Sequence, residues 1–475
     1  NGGFVGAQTA TEIRNCSVEN LKIVQAKNGA GGFAGIERDV ILQGALNDLG
    51  IQLAKFNIDS KQNECRVDGS DIQVIAANYA GGFNGVMANS SSRSSSVNHL
   101  KQVSAENYAG GFTGRATIGY GTVLGDDGEK NHTLLKSITI LLEKLVTSGE
   151  TGVELNPTLL SLAGLTPSEL YDCTIAEEGW SVSATGNYAG GFIGQGDGVK
   201  LSANGNGNHL TNLTSVTAEN YAGGIAGSIV TANPIGVLNK TLGVGSYLAS
   251  TAENITVTGQ NLAIEAKKKY ASGGFGLVLG GRIDHVDIRE LASVTAGNYA
   301  GGLAGRSGTG ALAKEGGLDV LGLGLVKVDN LLSLAEGVQV EIANTTVSGI
   351  ASGMVIRASG KVEMTDGESI LAGGFISEAE GVQVNDSNVR NLKQVSAEHT
   401  EGKESFAGGF IGRSHTGGLA GVAREEEDGS LKLPGIANVD SLLTLVPYLL
   451  PKYSNAVVTF VTNEKNPQVQ GTYAG

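Results

Sequence analysis

Asn78-Tyr79-Ala80-Gly81-Gly82-Phe83-Asn84-Gly85 recurs at residues 107–114 and 187–194, and with Ile225 or Leu303 in place of the phenylalanine at 220–227 and 298–305. Looser copies surround Phe4, Phe33, Phe275, Phe375 and Phe410. Self-similarity at this density marks a repeat architecture. Alternating runs stand ahead of many copies, as in Val103-Ser104-Ala105, Val216-Thr217-Ala218, Val294-Thr295-Ala296 and Val395-Ser396-Ala397. Such alternation is a strand signal, and the Gly-Gly that follows is a turn signal.

Between successive Phe-type positions (4, 33, 83, 112, 192, 225, 275, 303, 375, 410) the intervals are 29, 50, 29, 80, 33, 50, 28, 72 and 35. Short and long intervals alternate. A short interval of about 30 residues is one coil of a few strands and turns, and a long one is a coil with an insertion. The spacing therefore predicts an all-β dominated, right-handed parallel β-helix (β-solenoid) of about ten coils, continuous over 1–475, with insertions leaving every second coil. Right-handedness is the default for parallel crossovers. Leu134, Leu135, Ile138, Leu141, Leu142 and Leu145 form an apolar helical stripe. The reading places helical insertions near 40–54, 133–146, 235–248, 318–335 and 439–450. Helices leaving alternate coils are about 9.6 Å apart, twice the strand spacing, which suits side-by-side packing.

In such a stack the Phe-type residues form a core column, with Tyr79, Tyr108, Tyr188, Tyr221 and Tyr299 as a second column. Asn78, Asn107, Asn187, Asn220 and Asn298 are expected to make an amide ladder. The paired glycines suit close backbone approach at a corner. The Tyr-Ala-Gly-Gly-Phe-x-Gly core and the Gly-Gly-Leu-Ala-Gly cores at 301–305 and 417–421 resemble the GLUG-type glycine-rich repeats of large secreted and adhesin-like bacterial surface proteins. That resemblance implies an extracellular or cell-surface setting and an extended shape, and it brings no catalytic residue.

Composition agrees with a folded repeat protein. Glycine numbers 73 of 475 residues but proline only 7, unlike collagen, and 40% of residues are hydrophobic against 17% charged. The net charge of −14 argues against nucleic acid as a partner. No apolar run is long enough to span a membrane. Cys16, Cys65 and Cys173 are too few for a disulfide scaffold and lack zinc spacing. Cys16 and Cys65 occupy matching places in adjacent segments, which allows a disulfide between them, with Cys173 free.

Other candidate sites read as structural. His99, His209 and His285 share a motif context in alternate coils, so about 9.6 Å would separate neighbours, too far for one zinc. Glu106, Glu219 and Glu398 also fall in alternate coils, with Ala77 and Gly186 between, whereas glycoside hydrolysis needs converging carboxylates. The acidic loops at 126–129 and 425–428 match no calcium-binding repeat. No P-loop, HExxH or GxSxG pattern appears. Catalytic, cofactor and metal sites are accordingly not expected.

The expected function is an extracellular structural repeat protein: a surface stalk, fibre or filament subunit. The alternatives are an adhesin-type module that binds a host protein or glycan, and a polysaccharide-active β-helix enzyme. Because the chain opens inside the repeat at Asn1-Gly2-Gly3-Phe4 and closes inside it at Tyr473-Ala474-Gly475, its expected partner is itself, head to tail or laterally, or a continuation of the same chain.

Overall fold

The computed structural model describes residues 1–38, 40–41, 57–58, 60–118, 167–176, 179–202, 205–231, 249–308, 339–360, 369–398, 403–416, 424–425, 431–432, 450–461 and 468–475. These residues are all-β, in three large parallel sheets and two short antiparallel pairs. A first sheet of ten short strands runs from Gly29–Gly31 and Tyr79–Gly81 to Tyr473–Ala474. A second of ten runs from Val5–Thr9 to Ile411–His415, and a third holds 22 strands. The chain visits the sheets in the same order each time. After Tyr79–Gly81 and Asn84–Ala88 come Ser90–Arg93, Ser96–Asn98 and Leu100–Ala105, and then Tyr108–Gly110 begins the next tier.

Register follows the repeated motif. Tyr79 pairs with Tyr108, Ala80 with Ala109 and Gly81 with Gly110. Strand residues alternate between the interior and solvent, as in the buried–half-buried rhythm of Trp180–Ala184. The inward residues of all tiers join one core cluster that extends from Val18 to Ala407.

Close packing at the corner between the first and second sheets explains each place in the motif. A Cβ on Gly81 would lie 1.9 Å from the Asn84 carbonyl oxygen, and one on Gly82 would lie 2.1 Å from that of Gly111. Side chains are therefore excluded at both. Ala80 and Phe83 point inward and are wholly buried. The next residue also points inward, which is why that place holds Thr113, Ile193, Ala226 and Ala304 in other tiers.

The remaining corners are turned by single left-handed residues. One column includes Asn15, Glu64, Ser94, Asp172, Asn254, His285, Asp386 and Asn455, with φ between 46° and 53°. A second includes Asn20, Asp71, His99 and Asn212. Asparagine and aspartate tolerate this region better than other side chains, and here they prevail. A third column, between the second and third sheets, holds Ala10, Asn89, Gly198, Gly280 and Gly381, and so occurs only in alternate tiers. In the tiers between, the chain leaves the second sheet at Arg38, Thr117, Val230, Gly308 and His415 and enters a long insertion. The alternation read from the spacing is thus present at one corner of the fold.

Three expectations need correction. The insertion placed at 40–54 does not begin as a helix, because Val40–Ile41 is a strand paired antiparallel with Asn57–Ile58. The rest of that insertion and those at 133–146, 235–248, 318–335 and 439–449 lie outside the described residues. Phe275 is not in the phenylalanine column. Tyr270 pairs with Tyr221, which puts Gly274 above Ile225 and Phe275 above Ala226. Finally, the three cysteines are free. Cys65 lies above Cys16, but parallel neighbours aim their side chains the same way, and each thiol donates to the carbonyl two residues back, Arg14 for Cys16 and Asn63 for Cys65. Cys173 is free, as expected.

Candidate functional site

Among the described residues, a row of aromatic and charged side chains lines the outer side of the corner between the first and second sheets. Tyr79, Tyr108, Tyr188, Tyr221, Tyr270 and Tyr299 form an unbroken stack with ring centroids 4.6–5.3 Å apart. Tyr270 was missed in the sequence because Lys269 replaces the asparagine before it. Three aromatic rings of this column also pack on the second-sheet residue seven positions later. Tyr79 packs on Val86, Tyr108 lies under the Arg115 guanidinium at 5.3 Å, and Phe406 lies under Arg413 at 5.5 Å. Burial pushes the Tyr108 and Tyr221 hydroxyls above their ordinary range.

Charges along this seam neutralise one another. Arg115 donates to Asp197 at 2.9 Å. Further along, the nearly buried Glu378 receives Arg306 at 3.1 Å from one side and Arg413 from the other, while Arg306 also reaches Glu380 at 3.1 Å. His415 Nε2 is 3.4 Å from Glu378. A ring that holds a sugar offers its face, and here the rings from Tyr108 to Tyr270 are covered on both faces by their neighbours. A carboxylate that accepts protons in catalysis needs a free lone pair, and Glu378 already faces two guanidinium groups. The arrangement can bind tiers together.

The phenylalanine column is built as expected in its middle. Phe33, Phe83, Phe112 and Phe192 are buried with centroids 4.7–5.2 Å apart, and Phe375 stacks on Phe410 at 4.7 Å. Phe4 stacks on Phe33 but is 48% exposed on its other face. The amide ladder exists from Asn28 through Asn78, Asn107 and Asn187 to Asn220, each side chain donating to the one before at 3.0–3.4 Å. Asn298 is separated from it by the Lys269 tier.

The histidines do not share a column. His99 and His285 occupy two different left-handed corners, and His209 sits in a strand opposite Thr174. Their shared Asn/Asp-His context arose from unrelated places in the tier. Glu106 and Glu219 stand two tiers apart with Gly186 between, and Lys268 holds the Glu219 carboxylate, at 2.8 Å, below its ordinary range. Glu398 lines an open cleft of about 440 Å³ with Gln470 and Thr472, and is paired with Arg357. Glu425 lies in a short antiparallel pair, whereas 126–129 and 426–428 lie outside the described residues.

Among the described residues no cluster of three or more His, Cys, Asp or Glu side chains is placed to hold a metal ion, and no helix is long and apolar enough to cross a membrane. No family model, curated protein or solved structure matches the chain.

Proposed function

We propose that the tiers are coils of one right-handed parallel β-solenoid of about ten coils, and that the protein is an extracellular structural repeat protein: a surface stalk, fibre or filament subunit related to the GLUG-type glycine-rich repeats. The observation that carries this reading is the use of the repeated side chains. The Tyr, Phe and Asn ladders direct their faces and hydrogen bonds at the tiers above and below. Parallel crossovers favour the right-handed wind.

Axial assembly is supported by where apolar surface is exposed. Among the described residues, the large exposed hydrophobic side chains are Phe4 and Ile23 in the first tier and Leu450, Tyr453, Val457 and Tyr473 in the last. The fitting partner is therefore another set of the same tiers, whether from this chain or a second copy. Electron microscopy and small-angle scattering of the 475-residue chain test the reading. A rod of about 50 Å per ten tiers, from the strand spacing, that lengthens end to end is the expected result. A compact particle or purely lateral association overturns it.

A second reading is favoured by one observation: all five long insertions leave from the same corner. A row of insertions on one flank suits an adhesin-type module that binds a host protein or glycan. Removing the insertions one at a time separates the two, since only the adhesin loses a binding activity while the rod persists.

A further inference from the structure

The interior of the first three tiers differs from the rest. Gln8, Glu37, Gln62, Asn84 and Ser92 all point into the core, and none is more than 2% exposed. In later tiers the same columns are mostly apolar: Leu170 and Leu201 stand above Ser92, Ala116 above Met87, and Ile193 above Thr113. The amides and the hydroxyl bond one another closely. Asn84 Nδ2 donates to Gln62 at 2.8 Å, Gln62 Nε2 to Gln8 at 3.1 Å, and Ser92 Oγ to Gln62 at 2.8 Å.

Glu37 is the exception in this cluster. Asn84 Nδ2 donates to its Oε2 at 3.1 Å, but Oε1 has no hydrogen-bond partner. The Ser90 hydroxyl opposes the effect of burial without outweighing it, and it too makes no hydrogen bond. No cation faces the carboxyl among the described residues. Lys61 and Arg93, on strands that pack against it, are exposed, and Arg93 reaches Glu169 outside. The titratable groups that sense Glu37 are the thiols of Cys65 and Cys173, both raised by burial and uncharged at neutral pH. An ionised carboxylate without a counter-charge in a dry core is costly, so the group keeps its proton.

We propose that this cluster is a proton-held latch: the first three tiers stay closed while Glu37 is protonated and open when it ionises. Burial raises its folded-state pKa well above the ordinary carboxylate range. The latch contribution is therefore complete below the unfolded carboxyl value and is lost as pH rises through the folded one.

Two measurements on the full chain test the latch, with Glu37→Gln as an isosteric stand-in for the protonated acid. Infrared difference spectra at neutral pH are expected to show a protonated-carboxyl carbonyl band that Glu37→Gln removes. Hydrogen exchange, corrected for the intrinsic pH dependence, is expected to lose protection over 34–38, 60–63 and 84–88 as pH rises, with 251–296 unchanged. Glu37→Gln should abolish that loss. Glu37→Met, which copies Met87 one tier above, gives the same readout if the glutamine variant does not fold. Absence of the band at neutral pH, or the same pH response in either variant, overturns the proposal.

Discussion

The ring of Phe192 lies on that of Phe112, with centroids 5.2 Å apart, although 80 positions separate them in the chain. The Phe112 N–H donates to the Phe192 carbonyl at 2.9 Å, so backbone and side chain keep the same register across the longest insertion. Emptying one of these sites removes contacts to two tiers. Phe112→Ala is expected to cost about 3–5 kcal/mol in chemical denaturation. Phe4→Ala, at a half-exposed ring, should cost clearly less. Equal losses at the two positions would contradict the column.

The insertion between Thr117 and Ser168 should be dispensable for folding. Thr117 stands above Ala88 and Glu169 above Ser91, so a single residue can bridge the gap as Asn89 does one tier below. Replacing 118–167 with one asparagine is expected to keep the β circular-dichroism signature and a cooperative unfolding transition. Loss of both would show that the insertion holds the stack.

Glycine requirements should divide by position. A Cβ on Gly110 would lie 1.9 Å from the Thr113 carbonyl oxygen, whereas one on Gly6 meets nothing within 4 Å. Gly110→Ala is expected to destabilise by roughly 1–3 kcal/mol or more, as overpacking does. Gly6→Ala should be neutral or slightly stabilising, because it restricts the unfolded chain. Thermal melts of the two variants supply the comparison.

Thiol chemistry should follow depth. Cys173 is buried, and burial pushes its thiol up to about 12. An aromatic disulfide reagent at pH 8 is expected to label Cys16 first, and Cys173 only on unfolding. A reductant should leave the melting temperature unchanged.

Asp284 links stability to acid. Burial alone would raise its pKa, but hydrogen bonds from Asn344 and Arg282 and the neighbouring His285 outweigh that and lower it. Its contribution is present above the unfolded value and disappears as pH falls through the folded one. Asp284→Asn should therefore melt below the parent at pH 7, with the gap closing in strong acid. A gap that persists there would assign the loss to packing instead.

Much of this arrangement was legible because stacking demands repetition. The Tyr, Asn and Phe columns, and the alternation of plain and inserted tiers, follow from motif spacing. Phe275 was misplaced because Tyr270-Ala271-Ser272-Gly273-Gly274 carries one more small residue before its ring than the other copies. The corner columns were hard to read because they constrain φ and only favour asparagine and aspartate, so Glu64, Ser94 and His285 also serve. The Glu37 cluster escaped notice because a glutamate in an alternating strand reads as outward-facing, and only the partners across three tiers reveal otherwise.

At the inserted corner the chain must leave and return, as the Val40–Ile41 and Asn57–Ile58 pair shows at one stem. Two passages of backbone occupy two inter-strand spacings, about 9.6 Å, which is the rise of two tiers. Insertions on adjacent tiers would compete for the same space. A gene encoding such a chain can thus lengthen or shorten in frame by whole tier pairs without a clash, but an unequal exchange that adds one inserted tier alone would crowd its neighbour. Recombination between copies of this repeat should therefore be tolerated in steps of two.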